Sequence, residues 1–171
     1  MTKAIETTRL MDAVTQRTIS FLSQEIRLET TRETIAVENP LYMKLKSVSS
    51  LISIGGKFNA YIVFSFDKEL ISQIFKIYTK GLDLPIEDEA TDIEETAAEM
   101  MNIIIGNALT HLQDKGEAIY FSPPIVISEA KRIVQCNNAK FFRSSLHTPF
   151  GAMSIFIAGP KELFDDTLDC M

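Results

Sequence analysis

Long apolar runs are missing from this 171-residue chain. No stretch approaches the roughly 18 consecutive apolar residues that a membrane helix needs, and Ile103-Ile104-Ile105 is stopped at once by Gly106. The N-terminus, Met-Thr-Lys-Ala-Ile-Glu-Thr-Thr-Arg, lacks the uninterrupted apolar core of a signal peptide. Soft metal ligands are scarce. Cys136 and Cys170 lie far apart and form no CxxC, and only two histidines, His111 and His147, accompany them. That set is too small for a zinc site and reads as two reduced thiols in the cytoplasm. Basic charge is also short: 17 Lys and Arg against 23 Asp and Glu leave a net charge of -6. Sequence-independent binding to nucleic acid needs cations gathered against phosphates, so this balance opposes it. What the chain does have is 46% hydrophobic and 23% charged residues, enough for the core of one domain spanning 1–171. An acidic tail over 160–171 is expected to fray.

Hydrophobic spacing organises the chain. Ile5, Leu10, Val14, Ile19, Leu22 and Ile26 recur at helical intervals, so residues 4–27 are expected to form one amphipathic helix. Residues 28–40, rich in Thr and Glu and ending at Asn39-Pro40, read as a connection. From Leu41 the period changes to that of strands, and two strands meeting at Gly55-Gly56 predict a hairpin. Asp67 is placed to cap a helix carrying Leu70, Ile71, Ile74, Phe75 and Tyr78 and closed by Gly81. After an acidic loop over 82–90, Thr91 with Glu94 three residues later predicts a capping box, opening a helix that runs through Leu112. Three strand-like runs follow, at 119–127 around Pro123-Pro124, at 139–147 and at 151–157. The order helix, hairpin, helix, then helix and strands again suggests two related halves. The fold class expected is α/β in the α+β sense, with long helices packed on a largely antiparallel sheet.

The longest helix carries the informative pattern. With about 100° between successive side chains, Ile93, Ala97, Met100, Met101, Ile104, Ile105, Ala108 and Leu112 form one apolar stripe, the ordinary mark of core packing. Opposite it, Glu95, Glu99, Asn102 and Gly106 follow at spacings of four, three and four and make an outward ridge. Asn is a mediocre helix former and Gly costs about 1 kcal/mol relative to Ala in a helix interior, so a merely solvated face would carry other residues. Ile103 flanks the ridge and is expected to be exposed as part of a contact surface. Gly106, one turn beyond Asn102, would admit a partner's backbone. Glu99-x-x-Asn102 occurs once in the chain, but two fixed residues are a short motif, and a plain solvated face stays open on spacing alone.

The stretch Glu99-Met-Met-Asn102-Ile-Ile-Ile-Gly106-Asn107-Ala108, followed by Phe121-Ser122-Pro123-Pro124-Ile125-Val126-Ile127, resembles the CheC/CheX/FliY phosphatase family, and within it the CheX branch. The likeness covers residues 92–158 well and the N-terminal third by element order only. It implies a CheC-like fold and a helix that docks on a phosphorylated CheY-type response regulator to promote hydrolysis of its aspartyl phosphate. It also implies one site per chain in a homodimer. In that reading Glu99 and Asn102 are the catalytic pair, and Glu95, Ile103 and Gly106 meet the partner. The chain would hold no cofactor of its own, the magnesium ion belonging to the regulator. Chemistry agrees: an acyl phosphate is already activated and chiefly needs a water held in line. A carboxamide can orient that water but is too weakly basic to deprotonate it. Three places depart from the family pattern. Glu95 stands where Asp or Ser is common, Ser128-Glu129 where Gly is usual, and the early Asn-Pro-Phe is absent, Asn39-Pro40-Leu41 coming too late. These departures motivate the alternative expectation, a non-enzymatic dimeric module that binds a response regulator or another signalling protein.

Other residues read as structural. Gly55-Gly56-Lys57 lacks the rest of a phosphate loop, and Ser144, Ser145 and His147 lack a nucleophile elbow. His111 is expected to be partly buried near a helix end, Lys131-Arg132 to be turn residues, and Asp88-Glu89 to be plain surface acid.

Overall fold

A computed structural model describes residues 3–32, 36–38, 42–82, 88–113, 118–130, 132–134 and 139–160. The first amphipathic stretch is helical as its periodicity requires. α1 (Lys3–Ser20) passes without a break into a π-helical turn, Phe21–Glu25, and Ile26 closes it by donating its N–H to the Phe21 carbonyl. Leu10, Met11, Val14, Phe21, Leu22 and Ile26 are all buried along this run.

Ten strands follow in chain order with two more helices among them: β1 (Thr31–Arg32), β2 (Ala36–Glu38), β3 (Tyr42–Lys44), β4 (Val48–Gly56), β5 (Ala60–Phe66), α2 (Lys68–Tyr78), α3 (Glu89–Thr110), β6 (Ile119–Phe121), β7 (Ile125–Ser128), β8 (Arg132–Val134), β9 (Ala139–Thr148) and β10 (Gly151–Pro160). The main sheet is antiparallel throughout. β5 and β10 pair at its centre, with Phe64 opposite Ile155, and each is flanked by its hairpin partner, β4 or β9. Two short strands in succession line each outer edge, β6 and β7 along β4, and β1 and β2 along β9. β3 and β8 form a separate two-stranded ribbon with Met43 opposite Ile133.

This arrangement is two related halves in topology. A helix, two edge strands, a ribbon strand and a hairpin occur in that order twice, as α1 with β1–β5 and as α3 with β6–β10. The paired elements β5/β10 and β3/β8 meet their own counterparts. α2 stands outside this repeat and packs on α3 and β10. One face of the sheet carries the helices, and Ile52, Ile62, Phe64, Phe66, Ile155 and Ile157 join the apolar residues of α1, α2 and α3 in a single core. The opposite face is covered by the ribbon, where Met43 and Leu45 pack on Val63, Phe141 and Phe156. The central strands are therefore buried on both sides, which is why 60–66 reads as a nearly continuous apolar run.

Several expectations need correction. Residues 28–40 are not merely a connection, because β1 and β2 lie within them; they are too short and polar to show a strand period. The run 119–127 is split into β6 and β7, since Pro123 and Pro124 cannot donate to a ladder. β4 continues through Gly56, and the hairpin turns later, with Asn59 in the left-handed region at φ 51. Asp67 occupies the N-cap of α2 but makes no side-chain capping bond. Its carboxylate instead accepts the Ala152 N–H at 2.8 Å and pairs with the Lys46 ammonium at 2.9 Å. Arg132 is a strand residue of β8 whose guanidinium lies 5.6 Å from the centre of the Tyr42 ring. His111 is exposed. Gly81, at φ +86, follows the end of α2 as expected. Lys131 and the 161–171 part of the acidic tail lie outside the described residues.

Candidate functional site

α3 begins earlier than its sequence signals suggest. Asp88, in extended backbone, is the N-cap, accepting the Ala90 N–H at 3.1 Å and the Thr91 hydroxyl at 2.9 Å. The capping box at Thr91 and Glu94 is therefore not formed, and Asp88-Glu89 is helix start rather than idle surface acid. Thr91 sits inside the first turn, and Glu94 turns sideways to accept a hydrogen bond from Ser128 at the end of β7. Glu89 and Asp92 fill the first turn, where the helix dipole favours negative charge.

The apolar stripe is where its spacing predicts. Ile93, Ala97, Met100, Met101, Ile104, Ile105 and Ala108 are buried, with Leu112 just past the helix end, and Thr96 and Leu109 extend the buried face. Each Ile or Met buried in this way contributes about 1.5–3 kcal/mol, so the stripe fixes the rotation of α3 and thereby the direction of its other side. On that side Glu95 and Glu99 are exposed, and Asn102 and Gly106 are half-buried. The four lie on one ridge. Ile103 does not belong with them: it is half-buried and packs against the core, because one step further around the helix brings it to the border of the apolar stripe.

Hydrogen bonding separates two neighbouring amides. Asn107 donates its Nδ2 to the Ile103 carbonyl at 2.8 Å, so its amide is spent on its own helix. Among the described residues Asn102 has no hydrogen-bond partner, and neither Glu95 nor Glu99 forms an ion pair. The Asn102 amide thus keeps both its acceptor oxygen and its N–H groups for something outside the chain.

Gly106 is not demanded by the fold. A Cβ there would meet nothing closer than Phe121 Cζ, at 3.9 Å. Phe121 is the residue that sequence reasoning passed over. It stands in β6, 39% exposed, beside the ridge. Ser122 holds it there by donating its N–H to the Ser53 carbonyl and accepting the Ser53 N–H on its hydroxyl, both at 3.0 Å. The hydroxyl also bonds to the Pro123 carbonyl at 3.0 Å. The available signal was the Phe immediately before Ser-Pro-Pro: the serine replaces a ladder acceptor just where the prolines end the strand.

Among the described residues no group of three or more His, Cys, Asp and Glu could hold a metal ion, and no helix is long and apolar enough to cross a membrane.

Comparison with known proteins agrees with this fold. Solved structures share the fold. A chemotaxis protein CheX from Desulfovibrio desulfuricans is 21% identical with a TM-score of 0.74, covering 86% of this chain and 97% of its own. A CheC-like superfamily protein from Shewanella has 20% identity, a TM-score of 0.72, and coverage of 88% and 96%. CheX in a CheX–CheY–BeF3–Mg2+ complex from Borrelia burgdorferi has 20% identity, a TM-score of 0.66, and coverage of 88% and 95%. No curated protein matches the sequence. The family model described as chemotaxis phosphatase CheX matches residues 48–147, more than half of the chain and including all of α3. The chain belongs to the CheX family.

Proposed function

We propose that this protein hydrolyses the aspartyl phosphate of a CheY-type response regulator, with α3 entering the regulator's active site. The observation that carries this reading is Asn102, an amide without a partner among the described residues, on a ridge beside two exposed carboxylates. Family membership supports it, as does the relative from Borrelia burgdorferi that forms a complex with CheY, BeF3 and Mg2+.

Asn102 holds a water in line with the phosphorus and the leaving carboxylate oxygen. The water oxygen bonds to phosphorus, the bond from phosphorus to the aspartyl oxygen breaks, and the products are the free carboxylate and inorganic phosphate, with the water proton passing to phosphate or solvent. The amide supplies orientation and no proton transfer. Glu99, about one turn away, pairs with a cation on the regulator and sets the depth of the helix. Glu95 adds a second anionic contact, and Gly106 lets the regulator's backbone approach. The magnesium ion is carried by the regulator. We assign the working unit to a homodimer joined through sheet edges, a point that sedimentation of the purified protein checks.

The test uses a CheY-type receiver domain of the same organism, phosphorylated with acetyl phosphate. The protein is expected to speed phosphate release, and Asn102→Ala to reduce that effect at least a hundredfold while its thermal melt is unchanged. Full activity in Asn102→Ala overturns the mechanism. A receiver phosphate lifetime lengthened by the wild-type protein identifies a non-enzymatic binding module instead, a reading that the extra charge of Glu95 favours.

A further inference from the structure

Glu95 and Glu99 are the wall of a depression as well as the crest of a ridge. Between α2 and the N-terminal half of α3 runs a groove in two adjoining parts. One, of about 200 Å³, is bounded by Tyr78, Leu82, Glu95 and Glu99 among others. The other, of about 440 Å³, shares Phe75, Thr79, Leu82 and Asp92 with it and reaches Lys76 and Lys80. Phe75 packs on the core and forms the floor. Tyr78 and Leu82 stay 42% and 60% exposed, unusual for large apolar side chains so close together. Asp92, Glu95 and Glu99 rise along one side, and among the described residues none of them is in an ion pair.

In the smaller part, which is lined by no lysine or arginine among the described residues, this combination of an apolar trough and carboxylates outside any ion pair suits an apolar side chain carried next to a lysine or arginine. Its position names the bearer. Seven residues separate Glu95 from Asn102, about 10 Å along the helix, whereas each partner in an ordinary protein interface covers about 800 Å². A regulator seated with its phosphoryl group at Asn102 therefore overlies the groove. We propose that the groove between α2 and α3 receives a lysine- or arginine-bearing apolar segment of the phosphorylated regulator, so that this groove, which holds Leu82 and Glu95 but not Asn102, selects the regulator that docks. This inference rests on the function proposed above and adds the specificity surface to it.

Leu82→Glu tests it, since Leu82 is exposed and lies outside the core. With the acetyl-phosphate-charged receiver, Leu82→Glu is expected to raise KM about tenfold, the effect of losing one good interface anchor, and to leave kcat within twofold. Glu95→Lys raises KM similarly, and reversing the charge of the matching receiver lysine restores it. A KM within twofold of wild type for both variants overturns the proposal. So does a change in dimer dissociation with KM unaltered, which makes a second copy of this chain the occupant. If the wild-type protein releases no phosphate, the proposed hydrolysis fails by itself. Binding of the BeF3-charged receiver then decides the groove separately: affinity weakened about tenfold by Leu82→Glu upholds it, and equal affinity, or no binding by the wild type, sinks it.

Discussion

At the residue scale, the chemistry turns on which polar groups the fold has already used. Asn107 and Asn102 are the same residue type on one helix, yet only Asn107 is tied to a backbone carbonyl. No propensity scale separates them, and spacing, which put Asn102 on the outward ridge, left a plain solvated face open; the difference shows only in the hydrogen bonds. Gly106 makes a sharper case. A methyl group at this position has room, 3.9 Å from Phe121 Cζ, and Ala is favoured over Gly inside a helix by about 1 kcal/mol. Gly106→Ala is therefore expected to stabilise the protein by up to about 1 kcal/mol in urea denaturation. The same methyl stands on the proposed docking ridge, so KM for the phosphorylated receiver should rise severalfold. A variant that is more stable and equally active would show that no partner backbone approaches here.

At the element scale, the readable and the unreadable parts divide by length and by pairing. α3 has nine buried positions, and a sequence period can be recognised over that span. β1 has two residues and β2 three, too few to show any alternation, and they exist only because the long edge of β9 offers unpaired N–H and C=O groups. Caps failed for a related reason: the sequence shows which side chains could bond a helix terminus but not which other elements compete for them. Asp67 is the clearest instance. β10 supplies the Ala152 N–H and the chain before β4 supplies Lys46, so the carboxylate ties the start of α2 to β10 and to that link instead of capping the helix. Partial burial pushes its pKa up, but the Ala152 N–H, the Lys46 ammonium and His147 outweigh that and hold it below the ordinary 3.8. A carboxyl with a depressed folded pKa contributes stability that is fully present above its unfolded pKa and is lost as pH falls through the folded value. Chemical denaturation followed from pH 6 to pH 2.5 should accordingly show stability falling below about pH 4, and Asp67→Asn should flatten part of that fall. Because the side chain is 42% exposed, solvent screening keeps the difference small. Parallel curves for the two proteins would deny Asp67 this role.

At the scale of the whole molecule, the duplicated topology sets the proposed site on α3 against a counterpart on α1. α1 and α3 bury the same pattern of positions: Thr7, Leu10, Met11, Val14, Thr15 and Thr18 on one, and Ile93, Thr96, Ala97, Met100, Met101 and Ile104 on the other. Superposing those stripes sets Arg9 against Glu95, Ala13 against Glu99, Gln16 against Asn102 and Ser20 against Gly106. The repeat was visible in element order but hardly in residues, because two halves with the same burial need only matching apolar positions, and Val14-Thr15 fills the place of Met100-Met101. The outward faces have diverged in charge. Where α3 offers two carboxylates and an amide, α1 offers a guanidinium, a methyl and a longer amide with one more rotatable bond to hold still. A regulator recognised through cations opposite Glu95 and Glu99 meets Arg9 and Ala13 on the other helix, where both carboxylates and the depth-setting contact are missing. Titration with BeF3-charged receiver should therefore saturate at one receiver per chain, and Asn102→Ala should leave no phosphate release attributable to α1. Two receivers per chain, or residual activity that Gln16→Ala abolishes, would mean that the first half has kept a working site without those carboxylates.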